Sequence, residues 1–191
     1  MSVLTYVNSF FEERVDRLFG LAELVERAFS TSGLDYRVVG GLATYMYVEE
    51  SAPDAGRLTR DIDIAVRRED LQKIQSAVEP FGLRYRHSAG LDMLVQDGNP
   101  SPRGAVHLIF TGEKVREEYV QATPQFGPYR SIRGIRLIPL ADLVSMKLTS
   151  FRAKDEAHLK DLDQAGLISP DIEAGLSPFL RERLLLVRAR D

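Results

Sequence analysis

The sequence contains no cysteine. Disulfides and thiolate-bound metals are therefore excluded, and the redox compartment leaves no trace. It also lacks any apolar run of membrane-spanning length, and Met1 to Asn8 lacks the basic region and apolar core of an export signal. A soluble, cytoplasmic chain with no membrane partner is expected. Charge of either sign is not in excess: 25 Lys and Arg face 28 Asp and Glu, for a formal net charge of -3 and a pI near 5.7. General attraction to nucleic acid is excluded, so any polynucleotide partner requires a local patch. Internal repeats and low-complexity segments are missing too. What is present is core material. With 191 residues, 44% hydrophobic and 28% charged, the chain suits one domain around one well-buried core. Its expected parts are N-terminal helices in 1–33, a sheet core in 34–138 and C-terminal helices in 139–191.

The stretch from Tyr36 to Val66 organises the rest. Tyr36, Arg37, Val38 and Val39 are aromatic and β-branched types suited to a buried strand, and they stop at Gly40 and Gly41. Two glycines let backbone approach a ligand closely, and a helix over Leu42 to Glu49 adds its positive N-terminal end, a combination favourable to phosphate. A polar loop, Glu50 to Thr59, follows. From Asp61 to Val66 acid and apolar residues then alternate, which puts Asp61 and Asp63 on one strand face and Ile62 and Ile64 on the other. Their Cα atoms are expected roughly 6.5 Å apart, close enough for both carboxylates to reach one hard cation. Solvated acids on a half-exposed strand give the same pattern. The order of the two features decides between these readings.

A glycine pair ending one strand, a helix, and two acids one residue apart on the next strand resemble the nucleotidyltransferase superfamily related to DNA polymerase β. Leu140, Asp142, Leu143, Met146, Lys147, Leu148, Arg152, Lys154, Asp155, Leu159 and Leu162 resemble the closing helical motif of AbiEii-type toxin nucleotidyltransferases. The resemblance spans about Tyr36 to Leu162. It implies an α+β fold, a mixed central sheet flanked by N-terminal helices and a C-terminal helical section. It also implies transfer of a nucleoside monophosphate from a nucleoside triphosphate to an acceptor hydroxyl. Asp61 and Asp63 would hold Mg²⁺ or Mn²⁺, Gly40 and Gly41 would cradle the triphosphate, Lys147 and Lys154 would neutralise it, and Asp155 would orient Lys154 or the nucleotide. The acceptor is open between tRNA, a protein hydroxyl and a small molecule, and an antitoxin protein is an implied partner.

Two positions depart from the pattern. Many superfamily members carry a third acid on a later strand, and here that place falls on His107, between Val106 and Leu108. An imidazole is a poor Mg²⁺ ligand. Either His107 itself serves as base, or Asp92 reaches over from the adjacent strand. A chain with the fold but impaired turnover, binding nucleotide or regulating, is the alternative. His158 likewise stands where the family often has Asp.

Around this centre, Thr5 to Phe29 reads as one or two amphipathic helices with a possible break at Gly20: Val7, Phe10, Phe11, Val15, Leu18, Leu21, Val25 and Phe29 recur at helical spacing. Helices are also expected over Glu69 to Glu79 and Lys114 to Gln121. Strands are expected over Leu83 to His87, Leu91 to Gln96, Ala105 to Phe110 and Ile135 to Ile138, with a turn at Gln125 to Arg130. From Leu140 onward a continuous helix would bring Lys147 and Lys154, seven residues apart, to one side along with His158. Arg57 and Arg60 read as solvated loop residues beside the acids, and Asp171 to Asp191 as a packing helix with a basic end.

Overall fold

The computed structural model describes residues 3–53, 55–98 and 104–190. The loop positions 99–103 and the side chains of Val7, Phe10 and Phe11 lie outside the described part. Helix α1 (Val3–Thr31) is a single rod. Leu18, Leu21, Ala22, Val25, Ala28 and Phe29 form its buried stripe. Gly20 sits on the exposed side, where an added methyl would touch nothing. One solvent-facing glycine costs about 1 kcal/mol, less than the stripe returns, so the helix continues through it.

Seven strands follow: β1 (Arg37–Val39), β2 (Ile62–Val66), β3 (Leu83–Ser88), β4 (Leu91–Gln96), β5 (Val106–Phe110), β6 (Arg130–Ile132) and β7 (Ile135–Leu137). They form one sheet in the order β3-β4-β5-β2-β1-β7-β6. The β1/β7 and β2/β5 pairs are parallel and the others antiparallel, so the sheet is mixed and the architecture is α+β. Strand β6 occupies part of the stretch expected as a turn. Its hairpin with β7 turns on Arg133 and Gly134, both at positive φ, the two-residue geometry that matches strand twist.

The remaining helices are α2 (Gly40–Ser51), α3 (Leu71–Val78), α4 (Leu140–Ser150), α5 (Ala153–Gln164), α6 (Pro170–Gly175) and α7 (Pro178–Arg188). Helix α2 packs on β1 and β2 and against α4 and α5, while α3 packs on α1 and β3. One hydrophobic cluster runs from Leu18 to Val187 through sheet and helices. Among the described residues no helix is long and apolar enough to cross a membrane.

Two helical expectations are corrected. Lys114 to Gln121 forms turns and bends, because Val115 and Val120 are about half exposed and the segment has no apolar face to bury. The helix from Leu140 is not continuous. Phe151 adopts a left-handed conformation (φ 47°) that closes α4, and α5 starts afresh after Arg152.

Candidate active site

Strand register builds the first half of the site. Val39 pairs with Asp63 across β1 and β2, Asp63 with His107 across β2 and β5, and His107 with Met93 across β5 and β4. Directly paired residues share a sheet face, so Asp63 and His107 project together. Their side chains meet, His107 Nδ1 lying 3.3 Å from Asp63 Oδ1, both partly exposed. In the tautomer with its proton on Nδ1, the ring donates to this carboxylate. Asp92 pairs with Leu108 and therefore projects from the opposite face. It accepts from Tyr85 Oη at 2.5 Å and lies 2.8 Å from His87 Nδ1. Its expected route to the site is closed.

The glycine turn lies directly over this pair. Gly40 has φ +66°, and a methyl added there would fall on the Asp63 carboxylate. Glycine is required at this point for both reasons. At Gly41 an added methyl would stand 2.7 Å from Thr59 Oγ1, so the segment entering β2 presses on the turn as well. Asp61 lies one residue before the strand and accepts from the Gly104 backbone N–H at 3.1 Å. The start of α2 faces this cluster with the partial positive charge of its unsatisfied N–H groups.

Side-chain hydrogen bonds build the second half. Lys147 is 4% exposed, and its Nζ donates to Asp155 Oδ1 at 3.2 Å and to His158 Nδ1 at 2.9 Å. Since an ammonium only donates, His158 Nδ1 is the acceptor and the ring is neutral with its proton on Nε2. Burial, followed by the charge of Lys147, holds His158 down to about 4. Asp155 is fully buried. Burial raises its pKa, but hydrogen bonds from Arg152 and Ser150 and the Lys147 charge together bring it to about 2. Burial pulls the Lys147 ammonium below its ordinary range against the attraction of Asp155 and Asp63. Asp63 thus acts electrostatically on Lys147 and on Arg152, which joins the two halves.

The structure therefore brings Gly40, Asp63 and His107 into contact, with Gly41 and Asp61 beside them in the chain and Lys147 within electrostatic reach of Asp63. Lys154, on α5, is exposed, and its charge is felt by Lys147 and His158. Asp155 is engaged with Lys147, Ser150 and Arg152, a capping and anchoring position. Sequence reading overlooked Thr59, Ser150 and the Gly104 N–H. Only the Asp three residues after Arg152, a first-turn acid, signals part of this network.

Among the described residues no group of three or more His, Asp and Glu is arranged to hold a metal ion. Two carboxylates remain, Asp61 and Asp63, and their oxygen donors suit Mg²⁺, which ordinarily takes one or two protein carboxylates and completes its shell with water and substrate phosphates. The residues fit such an ion as a shared ligand of chain and substrate. A cleft of about 460 Å³ between Tyr47, Glu50, Tyr129, Arg130 and Leu167 lies at the other end of α2 and contains none of them. Convergent charge, not cavity volume, marks the site.

No protein-family model matches the chain, and no curated protein sequence matches it. Solved structures do. An antigenic nucleotidyltransferase-like protein from Paracoccidioides brasiliensis superposes with a TM-score of 0.61 at 15% identity, covering 92% of this chain and 89% of that one. The crystal structure of ANT(2'')-Ia in complex with adenylyl-2''-tobramycin gives 0.54 at 13% identity, covering 90% and 97%. The chain has the nucleotidyltransferase fold.

Proposed function

We propose that the chain transfers a nucleoside monophosphate from a nucleoside triphosphate to an acceptor hydroxyl. The observation that carries this reading is the contact of the Gly40 turn with the Asp63 carboxylate, beside a buried lysine within electrostatic reach of that acid. Residues more than a hundred positions apart thus form one anion-binding and cation-binding centre. Asp61 and Asp63 would hold Mg²⁺ or Mn²⁺, which supplies charge neutralisation to the phosphates. Backbone N–H groups at Gly40 and Gly41 face the triphosphate, and Lys147 with Lys154 offsets its charge. The acceptor oxygen attacks the α-phosphorus, the bond to the bridging oxygen breaks, and pyrophosphate leaves with the electron pair. His107, held beside Asp63, takes the acceptor's proton.

The closing-helix residues Lys147, Lys154 and Asp155 support placement beside the AbiEii-type toxins, with an antitoxin as partner. The solved relative bearing adenylyl-2''-tobramycin supports a small-molecule hydroxyl as acceptor, and tRNA and protein hydroxyls stand beside it. A second reading has one observation in its favour: the residue in register with Asp63 is His107 rather than an acid. On that reading the chain binds nucleotide without turning it over.

Incubation with each α-labelled nucleoside triphosphate, Mg²⁺ or Mn²⁺, and pools of tRNA, protein and small polyols separates the two. Labelled acceptor, lost by about 10²-fold or more in His107→Ala, is the expected outcome. Tight nucleotide binding with no label on any pool, and label appearing in His107→Asp, would establish the second reading.

A further inference from the structure

Helix α5 carries three polar acceptors at intervals of three residues: Asp155, His158 and Asp161. Each interval advances about 4.5 Å along the axis and stays near one face. All three grip cations. Asp155 holds Arg152 and Lys147, His158 accepts from Lys147, and Asp161 holds Arg57, whose Nε lies 3.0 and 2.9 Å from its two oxygens. Asp161 is 8% exposed while the Arg57 side chain is 64% exposed. A buried carboxylate thus fixes a guanidinium that otherwise projects outward, with Nε alone engaged and the two terminal nitrogens outside that contact.

Helix α5 links this guanidinium to the site, since Asp161 lies three residues past His158, which accepts from Lys147. Arg57 stands two residues before Thr59, which presses on Gly41, and four before Asp61. Its charge is felt at His158, as are those of Lys147 and Lys154. The cations therefore form a row, from Lys147 near Asp63 to Arg57 at the Asp161 end. Sequence reading treats Arg57 as a solvated loop residue, and its side chain is indeed mostly exposed; the Asp161 anchor is the part that reading lacks.

We propose that Arg57, positioned by Asp161, grips the distal phosphates of the nucleotide and sets a preference for triphosphate over monophosphate. This rests on the nucleotide-binding reading above. The α-phosphate belongs beside Asp63 and Lys147, so the far end of the row meets what extends beyond it. A planar fork suits phosphate oxygens, and an anchored fork loses less side-chain freedom on binding.

Calorimetric titration of the full chain with a nonhydrolysable nucleoside triphosphate analogue and with the matching monophosphate, in Mg²⁺, tests this. Arg57→Gln is expected to weaken the triphosphate analogue by about tenfold or more while leaving the monophosphate within about twofold. Asp161→Asn is expected to give a smaller loss of the same selectivity. The double variant should match Arg57→Gln alone, a result that additive structural damage does not give. Arg57→Lys, which keeps the charge and lacks the fork, guards against misfolding and should retain part of the preference. Wild-type binding with an unchanged triphosphate-to-monophosphate ratio in Arg57→Gln would overturn the proposal alone. Absence of any nucleotide binding by the wild type would overturn the functional reading and the proposal with it.

Discussion

The two halves of the site are held by different physics. Asp63 and His107 owe their placement to strand register and to a glycine that leaves room for one carboxylate. Lys147, Asp155 and His158 owe theirs to a buried hydrogen-bond network spanning a helix break. Backbone geometry can present partly exposed acids to solvent and substrate with little side-chain support. A buried ammonium has no such freedom, because each unpaired donor in a low-dielectric setting carries a large desolvation cost. The acid half is thus open to exchange of partners, and the cation half is pre-wired.

That contrast can be broken from either side. The largest effect is expected from the acids: Asp61→Ala with Asp63→Ala should lower nucleotidyl transfer by about 10³-fold or more while the thermal midpoint stays close to that of wild type. Next, Asp155→Ala should cost about 3–5 kcal/mol of stability in urea denaturation, because it strands the Lys147 ammonium in the interior. A loss under about 1 kcal/mol would show that the cation half is not pre-wired. Gly40→Ala should cost about 2 kcal/mol, from a positive φ and from a methyl displacing the Asp63 carboxylate.

The smallest effect is a pH dependence. An imidazole in the unfolded chain titrates at 6.5, and His158 in the fold at about 4. Between those values the unfolded state binds the extra proton. The His158 contribution to stability therefore falls as pH drops from about 6.5 toward 4 and levels off below. Replacing the ring, as in His158→Gln, should flatten that part of the curve. A second loss, as pH falls from 3.8 toward 2, belongs to Asp155, and His158→Gln should leave it in place.

The same contrast decides what a reader of the bare sequence could find. Asp61, Asp63, Gly40 and Gly41 announce themselves through local alternation and a strand-ending glycine pair, and the strands bearing them follow from β-branched runs. His107 needed only its place in an apolar run. The cation half was legible in residue type but not in geometry. Lys147 and Lys154 look like neighbours on one helix, and the left-handed turn at Phe151 separates them. Nothing local to Phe151 signals that turn. The guanidinium of Arg183 holds the carbonyls of Leu148 and Thr149 at 2.6 and 2.8 Å and stacks on Phe151 and Phe179, contacts made from α7, more than thirty residues away. Tertiary partners set the break. Strand β6 was missed because Arg130, Ser131 and Ile132 include a single apolar residue, whereas the equally short β1 and β7 each carry two.

The most direct measurement is calorimetric titration with nonhydrolysable ATP, GTP, CTP and UTP analogues, with and without Mg²⁺, on the wild-type chain and on Asp61→Ala with Asp63→Ala. Metal-dependent binding of at least one analogue, abolished in the double variant, is the expected result. Binding that persists unchanged without the two acids, or no binding of any analogue, would contradict the assignment of this cluster as a nucleotide site.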